Sequence, residues 1–324
     1  MSGQLKQQPE WADVELVVAT RADLARLPAL ASRDEVDQLS RLLAEVAAGR
    51  RTVLQAGDCA EERLLARYHA AAAAMAFLRA RTGESGVPAV WTSHEALLLD
   101  YEVPLLRRQR GGDILLSSTH WPWIGDRTRQ LDGAHVRMLA TVVNPVACKV
   151  GPSMTPDELV RLCHRLDPNR EPGRLTLITR LGANHVSRLL PSLVEAVRTE
   201  GHPVIWMCDP MHGNTVPTPS GRKTRHVPQS MHEVRDFRAI LAASGGIAGG
   251  LHLEATPEQV TECLSAEMRP TAVTANYRTA CDPRLRPDQA VDVVRSWGTE
   301  STGPRHPERE PAATTSGGTD VSVP

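Results

Sequence analysis

The feature that most constrains this chain is an alternation along its length: short apolar runs, each followed by a longer amphipathic stretch. The runs are Thr52–Gln55, Ala89–Thr92, Asp113–Ser117 leading on to Trp123, Val146–Val150, Leu175–Thr179, Val204–Cys208 and Gly249–Leu253. Runs this short and this continuous read as strands buried on both faces. Strands separated by helices pair in parallel, because a helix-length crossover returns the chain to the same edge. The strand count is seven, where a closed (β/α) barrel of the common kind takes eight. A helix is expected over Glu35–Ala48, with Val36, Leu39, Leu43 and Val46 on one side and Gly49 as its stop signal. Thr155-Pro156-Asp157-Glu158 and Thr256-Pro257-Glu258-Gln259 each read as a capping box with proline at the first helical position, predicting two more helix starts.

Composition narrows the partners. Among 324 residues, 37 basic side chains stand against 38 acidic ones with no basic run, which argues against nucleic acid or an anionic membrane as a partner. The opening MSGQLKQQPEWAD lacks the basic-then-apolar order of a signal peptide and no segment has the apolar length of a membrane span, so a cytoplasmic location is expected. The six cysteines are scattered and form no CxxC pair, so free thiols are expected rather than a disulfide frame or a zinc knuckle. From about Gly298 the sequence is polar and rich in Pro, Gly and Thr, which predicts a disordered tail. The expected organisation is an N-terminal extension over 1–33, a (β/α) barrel over 34–297 and the tail over 298–324.

In a parallel βα protein the reactive groups sit just after the strands. Here those positions carry Gln55-Ala56-Gly57-Asp58-Cys59, Ser93-His94-Glu95, Trp123-Ile124-Gly125-Asp126-Arg127, Lys149, Arg180, Asp209-Pro210-Met211-His212, Glu254 and, in a later loop, Asp282. Two chemical sets emerge. Cys59, His212, Glu254 and Asp282 offer a thiolate, an imidazole and two carboxylates, a donor set suited to a divalent transition metal. Arg127, Lys149 and Arg180 are cations able to hold a phosphate and a carboxylate together. Each also has an ordinary reading: a cysteine after a strand is usually a small buried hydrophobe, and Arg127 or Arg129 can pair with Asp126 or Asp132.

The wording of these loops carries a resemblance. LQAGDCAE, TSHEALLLDYE, WIGDRTRQLDGAH, KVGPSMTPDELV, GRLTLITRLGANH, PVIWMCDPMHGNT, KTRH, GGLHLEATPEQVTEC and TACDPRL closely resemble, in order, the successive signatures of the type II DAHP synthase family, from about residue 9 to about Val294. The resemblance implies a (β/α)8 TIM-barrel type fold. It also implies metal-dependent, aldol-type condensation of phosphoenolpyruvate with erythrose 4-phosphate, giving 3-deoxy-D-arabino-heptulosonate 7-phosphate and phosphate in the shikimate pathway. The family's metal ligands fall on Cys59, His212, Glu254 and Asp282, with Mn²⁺ as the expected ion and Co²⁺ or Zn²⁺ as substitutes. Its phosphoenolpyruvate contacts fall on Arg127, Lys149 and Arg180, with Trp123 and Asp126 lining the same pocket; Lys149, Cys59 and His212 take the catalytic roles. Glu95 matches a residue of the family's active-site region. The implied partners are phosphoenolpyruvate and a phosphorylated aldose, and an assembly of identical subunits is compatible with the sequence.

One departure is large. After GDCAE the family has a strand carrying an AKPRS-type motif whose cations help to bind both substrates, and this chain passes directly to ERLLARYHAAAAAMAFLRA. The second strand is therefore expected to be deleted, with the gap covered by the helix Glu62–Arg81 or by a partner subunit. Three outcomes stay open: DAHP synthesis with cations borrowed from Arg107, Arg108 and Arg110; use of another aldehyde in a specialised pathway; or a non-catalytic regulatory paralogue.

Overall fold

The computed structural model describes residues 21–57, 64–82, 89–266, 273, 275–279 and 281–298. Cys59, the first twenty residues and the expected tail beyond Gly298 lie outside the described residues. Helix α1 (Arg33–Ala47) begins where two backbone donors are satisfied at once. The Ser32 N–H donates to the Glu35 carboxylate at 2.8 Å while the Glu35 N–H donates to Ser32 Oγ at 3.3 Å. It stops before Gly49, whose φ of +71° is a left-handed conformation that glycine adopts without a Cβ penalty.

Seven parallel strands follow among the described residues: β1 (Val53–Gly57), β2 (Ser93–Glu95), β3 (Trp121–Ile124), β4 (Val146–Val150), β5 (Leu175–Thr179), β6 (Ile205–Cys208) and β7 (Ala248–Glu254). Between and after them lie α2 (Leu64–Arg81), α3 (Ala134–Leu139), α4 (Pro156–Leu166), α5 (Val186–Thr199), α6 (Val227–Ser244) and α7 (Pro287–Ser296). The hydrogen-bonded order is β1-β7-β6-β5-β4-β3-β2. Because the last strand returns to the first, with Val53 opposite Gly250 and Gly57 opposite Glu254, the sheet curls into a TIM-type barrel. One seam, between β1 and β2, is not joined by backbone pairing among the described residues. There the buried Gln55 side chain reaches across: its amide donates to Ser93 Oγ and its oxygen accepts from His252 Nδ1.

The period of two along each strand separates the faces. Outward residues Val146, Cys148, Leu175, Leu177, Trp206, Leu251 and Leu253 pack with Leu159, Leu162, Leu190, Leu193, Phe237 and Leu241 of α4–α6 in one continuous core. Inward residues Trp121, Ala147, Ile178, Ile205 and Met207 meet Leu39, Leu43 and Val46, so α1 stoppers the end where the strands begin. The fit is close enough to require glycine at 249, where a Cβ would lie 2.2 Å from Ile205 Cγ2 and 2.9 Å from Val46 Cγ1.

Some expectations need correction. The run Asp113–Ser117 is not a barrel strand: Ile114–Leu116 pairs antiparallel with Leu106–Arg108, and the barrel strand is the later Trp121–Ile124. Gly111 and Gly112, at φ +104° and +100°, let the chain reverse there and favour a hairpin over a crossover. The same hairpin engages Arg107, which donates to the carbonyls of Leu27, Pro104 and Leu106, and Arg108, which donates to Gly112 O. No helix starts at Thr256 among the described residues. The following loop instead wraps a buried carboxylate, Glu262, which accepts from the N–H groups of Arg278, Thr279 and Arg284. Thr155 does cap its helix, accepting from the Glu158 N–H at 3.2 Å.

Helix α2 buries Leu64, Tyr68 and Met75 against Leu24, Leu30, Leu98, Tyr101 and Leu105. It leaves Leu54, the outward residue of β1, 55 % exposed, so the expected covering of the seam by this helix does not extend to β1. No described helix is long and apolar enough to cross a membrane.

Candidate functional site

The ends of the strands opposite α1 collect most of the residues singled out in the sequence. His212, Glu254 and Asp282 bring one donor atom each to within 4.8 Å of one another. His212 Nε2 is 3.2 Å from Glu254 Oε1 and 3.9 Å from Asp282 Oδ2. Ligand atoms held at about 2.1 Å around one ion lie roughly 3–4 Å apart, so this spacing fits a divalent ion.

The arrangement behind these atoms strengthens the fit. His212 Nδ1 donates to Asp209 Oδ2 at 2.6 Å, which fixes the ring and turns Nε2 toward the two acids. Asp209 Oδ1 accepts from the N–H groups of Met211 and His212 at 3.0 and 3.2 Å, so the tight turn after β6 builds its own anchor. Each acid divides its oxygens. Glu254 presents Oε1 to His212 and accepts from Arg225 Nη1 at Oε2, 2.6 Å away. Asp282 presents Oδ2 to His212 and accepts from Lys223 Nζ at Oδ1, 2.9 Å away.

The electrostatics are those of a cation site. Burial works against ionising Glu254, but Arg225 and His212 hold its carboxyl well below the usual range. Burial likewise opposes charge on His212, yet Asp209 and Glu254 outweigh it and raise the imidazole above its ordinary value. Asp209 stays ionised against its burial because His212 and Lys149 face it. His252, edge-on to Trp123 at 5.3 Å between ring centres, is pushed down to about 3 by burial and by Lys149, and is therefore neutral.

A second group lies beside the first. Lys149, buried in the barrel, pairs with Asp209 and lies 4.9 Å from the centre of the Trp123 ring. Arg180 Nη1 is 3.7 Å from Asp126 Oδ2, and Arg180 Nε is buried with no hydrogen-bond partner among the described residues. A buried guanidinium N–H without a partner is open to an acceptor such as a ligand oxygen or a water. Asp126 serves as an anchor: its Oδ1 accepts from Arg129 Nε at 2.9 Å and from the Gly151 N–H at 3.1 Å. Gly151 is required there, since a Cβ would sit 2.3 Å from Asp126 Oδ2. Arg127 is exposed at the rim, and it and Lys149 oppose the rise in Glu95's pKa that burial causes.

The structure thus gathers His212, Glu254, Asp282, Lys149, Trp123, Arg180, Asp126, Arg127 and Glu95, while Cys59 lies outside the described residues. Several participants were not singled out from the sequence. Asp209 had a signal, a carboxylate three residues before a histidine in a tight turn; Lys223 and Arg225 stood in the KTRH motif without a role. Gln55 stood among the strand-end positions without a role, and His252 had no signal, because a polar residue inside a strand shows its function only when its neighbours across the barrel are known.

By fold and site this is a parallel barrel that brings an imidazole and two carboxylates together at its strand ends, beside the Lys149 and Arg180 cations. The Class-II DAHP synthetase family model matches residues 1–68 and 66–296, and the chain belongs to that family. It is 53 % identical over 254 residues to a probable phospho-2-dehydro-3-deoxyheptonate aldolase of Pseudomonas fluorescens, covering 77 % of this chain and 63 % of that protein. It is 46 % identical over 213 residues to the phospho-2-dehydro-3-deoxyheptonate aldolase AroG of Mycolicibacterium smegmatis, covering 63 % of this chain and 46 % of that protein. The chain thus spans less than two thirds of the length of these relatives. A solved phospho-2-dehydro-3-deoxyheptonate aldolase from Francisella tularensis aligns over 91 % of this chain and 97 % of its own, with 12 % identity and a TM-score of 0.48.

Proposed function

We propose that the chain is an enzyme condensing phosphoenolpyruvate with a phosphorylated aldose, erythrose 4-phosphate in the first instance, to give 3-deoxy-D-arabino-heptulosonate 7-phosphate and phosphate. The observation that carries this reading is the orientation of His212: Asp209 takes Nδ1, and Nε2 faces Glu254 and Asp282 beside the Lys149 and Arg180 cations. The names of the relatives support the same reading.

In this reading His212, Glu254 and Asp282 hold the ion, with Cys59 as a fourth donor. When bound, a divalent ion, Mn²⁺ by preference and Co²⁺ or Zn²⁺ as substitutes, supplies the Lewis acidity that polarises the aldehyde oxygen. Lys149, Arg180 and Arg127 bind the phosphate and carboxylate of phosphoenolpyruvate and hold its C3 at reacting distance from the aldehyde carbon. Trp123 walls the pocket against water, and Asp126 orients Arg180. A C–C bond forms from C3, water adds at C2, and the C2–O bond breaks to release phosphate. Lys149 offsets the charge that shifts during these steps.

The test uses phosphoenolpyruvate labelled with ¹⁸O in its bridging oxygen, Mn²⁺ and a panel of aldoses. The expected result is a seven-carbon product with erythrose 4-phosphate and the label in the released phosphate. No consumption of phosphoenolpyruvate with any aldose, and no phosphoenolpyruvate-dependent rise in melting temperature with Mn²⁺ present, overturns the proposal. A second reading, in which the aldehyde is a different one, is favoured by the family match falling into two segments that meet at residues 66–68, on α2 between β1 and β2 in the chain. The same panel then gives its product with another aldose.

A further inference from the structure

Behind the site, α6 carries a buried carboxylate that the proposed chemistry does not use. Glu233 is 0 % exposed. Its Oε1 accepts from the Gly182 N–H at 2.8 Å, and its Oε2 accepts from Asn214 Nδ2 at 2.6 Å. Gly182 belongs to the loop that begins at Arg180, and Asn214 to the loop that carries Asp209 and His212. Asn214 ties the same two loops from its own side: Oδ1 accepts from the Ala183 N–H at 3.0 Å, and Nδ2 also donates to Pro210 O at 2.9 Å. Ser230, one turn earlier on α6, donates to Pro210 O at 2.8 Å.

The two loops touch backbone to backbone. A Cβ at Gly213 would lie 2.3 Å from Gly182 N, and one at Gly182 would lie 2.6 Å from Gly213 O. Burial pushes the Glu233 carboxyl up to about 8 even though Gly182 and Asn214 donate to it. Keeping such a group inside a core is costly unless its partners matter.

We propose that Glu233 and Asn214 form a clamp that sets the position of the Arg180 loop relative to the His212 loop, and with it the distance between the anion-binding cations and the metal-binding imidazole. Glu233 touches no substrate in this arrangement; it is a positioning residue. The catalytic part of the claim rests on the proposed function, whereas the clamp itself does not.

The hydrogen-bond pattern prescribes a test by exchange of partners. Glu233→Gln leaves an amide facing the Asn214 amide, and Asn214→Asp removes the amide that donates to both Glu233 and Pro210 O. In the double variant the new amide at position 233 can accept from Gly182 and donate to the new carboxylate at position 214, which still accepts from Ala183; the donation from position 214 to Pro210 O stays lost, and Ser230 remains that carbonyl's donor. Amide hydrogen exchange at Gly182 and Ala183, Mn²⁺ affinity and the phosphoenolpyruvate KM are measured on all four proteins. The expected result is roughly tenfold faster exchange, tenfold weaker Mn²⁺ binding and a tenfold higher KM in each single variant, with the double variant recovering most of each loss. Exchange in α1, which packs at the opposite end of the barrel, stays unchanged. Additive losses in the double variant, or single variants whose exchange at Gly182 and Ala183 stays within about twofold of the parent, overturn the clamp. Exchange is read without turnover, so a wild-type protein that proves inactive defeats the proposed function and still tests the clamp.

Discussion

The arc from β3 to β7 and the side formed by β1, α2 and β2 are built on different principles. Along the arc, outward strand residues such as Cys148, Leu177 and Trp206 lie at most 2 % exposed beneath α4–α6. On the other side, β2 is three residues long, α2 buries only Leu64, Tyr68 and Met75, and Leu54 and Phe77 stand 55 % and 62 % exposed. Between the strands and helices of the arc the packing is apolar. The seam side adds polar fastenings: Gln55 between Ser93 and His252, and Arg79 held by both oxygens of Glu35. The difference teaches where chemistry can be housed, since most of the described site residues come from the arc and its loops.

The largest effect should come from the arc's functional end. His212→Ala removes the donor that both Asp209 and the acid pair are arranged around. It should abolish Mn²⁺ binding by calorimetry and lower turnover on the order of a thousandfold, the rate equivalent of several kcal/mol. Retention of full metal affinity would show that the arc's strand ends are not the binding centre.

Next comes packing. Leu177→Ala, at a fully buried outward position of β5, should cost about 2–5 kcal/mol in urea unfolding, whereas Phe77→Ser on α2 should change stability by no more than about 0.5 kcal/mol. Equal costs for the two would erase the contrast. Gln55→Ala tests the seam fastening itself. It strands the His252 Nδ1–H and removes a donor from Ser93 Oγ, which keeps its own bond to Trp121 O, and a loss of roughly 1–3 kcal/mol is expected by the same measurement.

The smallest effect is a pH dependence of α2 docking. Arg79 holds the Glu35 carboxyl at about 2, below its ordinary 4.5. A depressed carboxyl contributes stability that is fully present above 4.5 and is lost as the pH falls through that window toward 2. The protection of α2 amides against hydrogen exchange, taken relative to the intrinsic rate at each pH, should therefore fall on acidification through this range in the parent protein, and Glu35→Gln should flatten that dependence.

How much of this could be read in the chain follows the same division. Val146–Val150 and Leu175–Thr179 were delimited to the residue, because a strand buried on both faces has a continuous apolar signature that begins and ends sharply. The helix after Thr155 was equally clear from its cap and proline. The apolar run at Asp113–Ser117 misled because burial alone does not distinguish a barrel strand from a hairpin strand; the pair Gly111-Gly112 was the better guide. Thr256 misled because its capping signal competes with Glu262, whose carboxylate collects the backbone donors of a distant segment. In the site, side chains that follow strands were legible by position. Those that act through another residue took their partners only from the geometry: Asp209 on His212, and Asp126, named in the sequence as lining the pocket, on Arg180.

Helix α1 gives the barrel a floor, and that has a bearing on traffic. With Leu39, Leu43 and Val46 filling the bore at the strand starts, the strand-end mouth serves as both entrance and exit. In the proposed reaction, substrates and products pass the loops around that opening, among them those that Glu233 ties together.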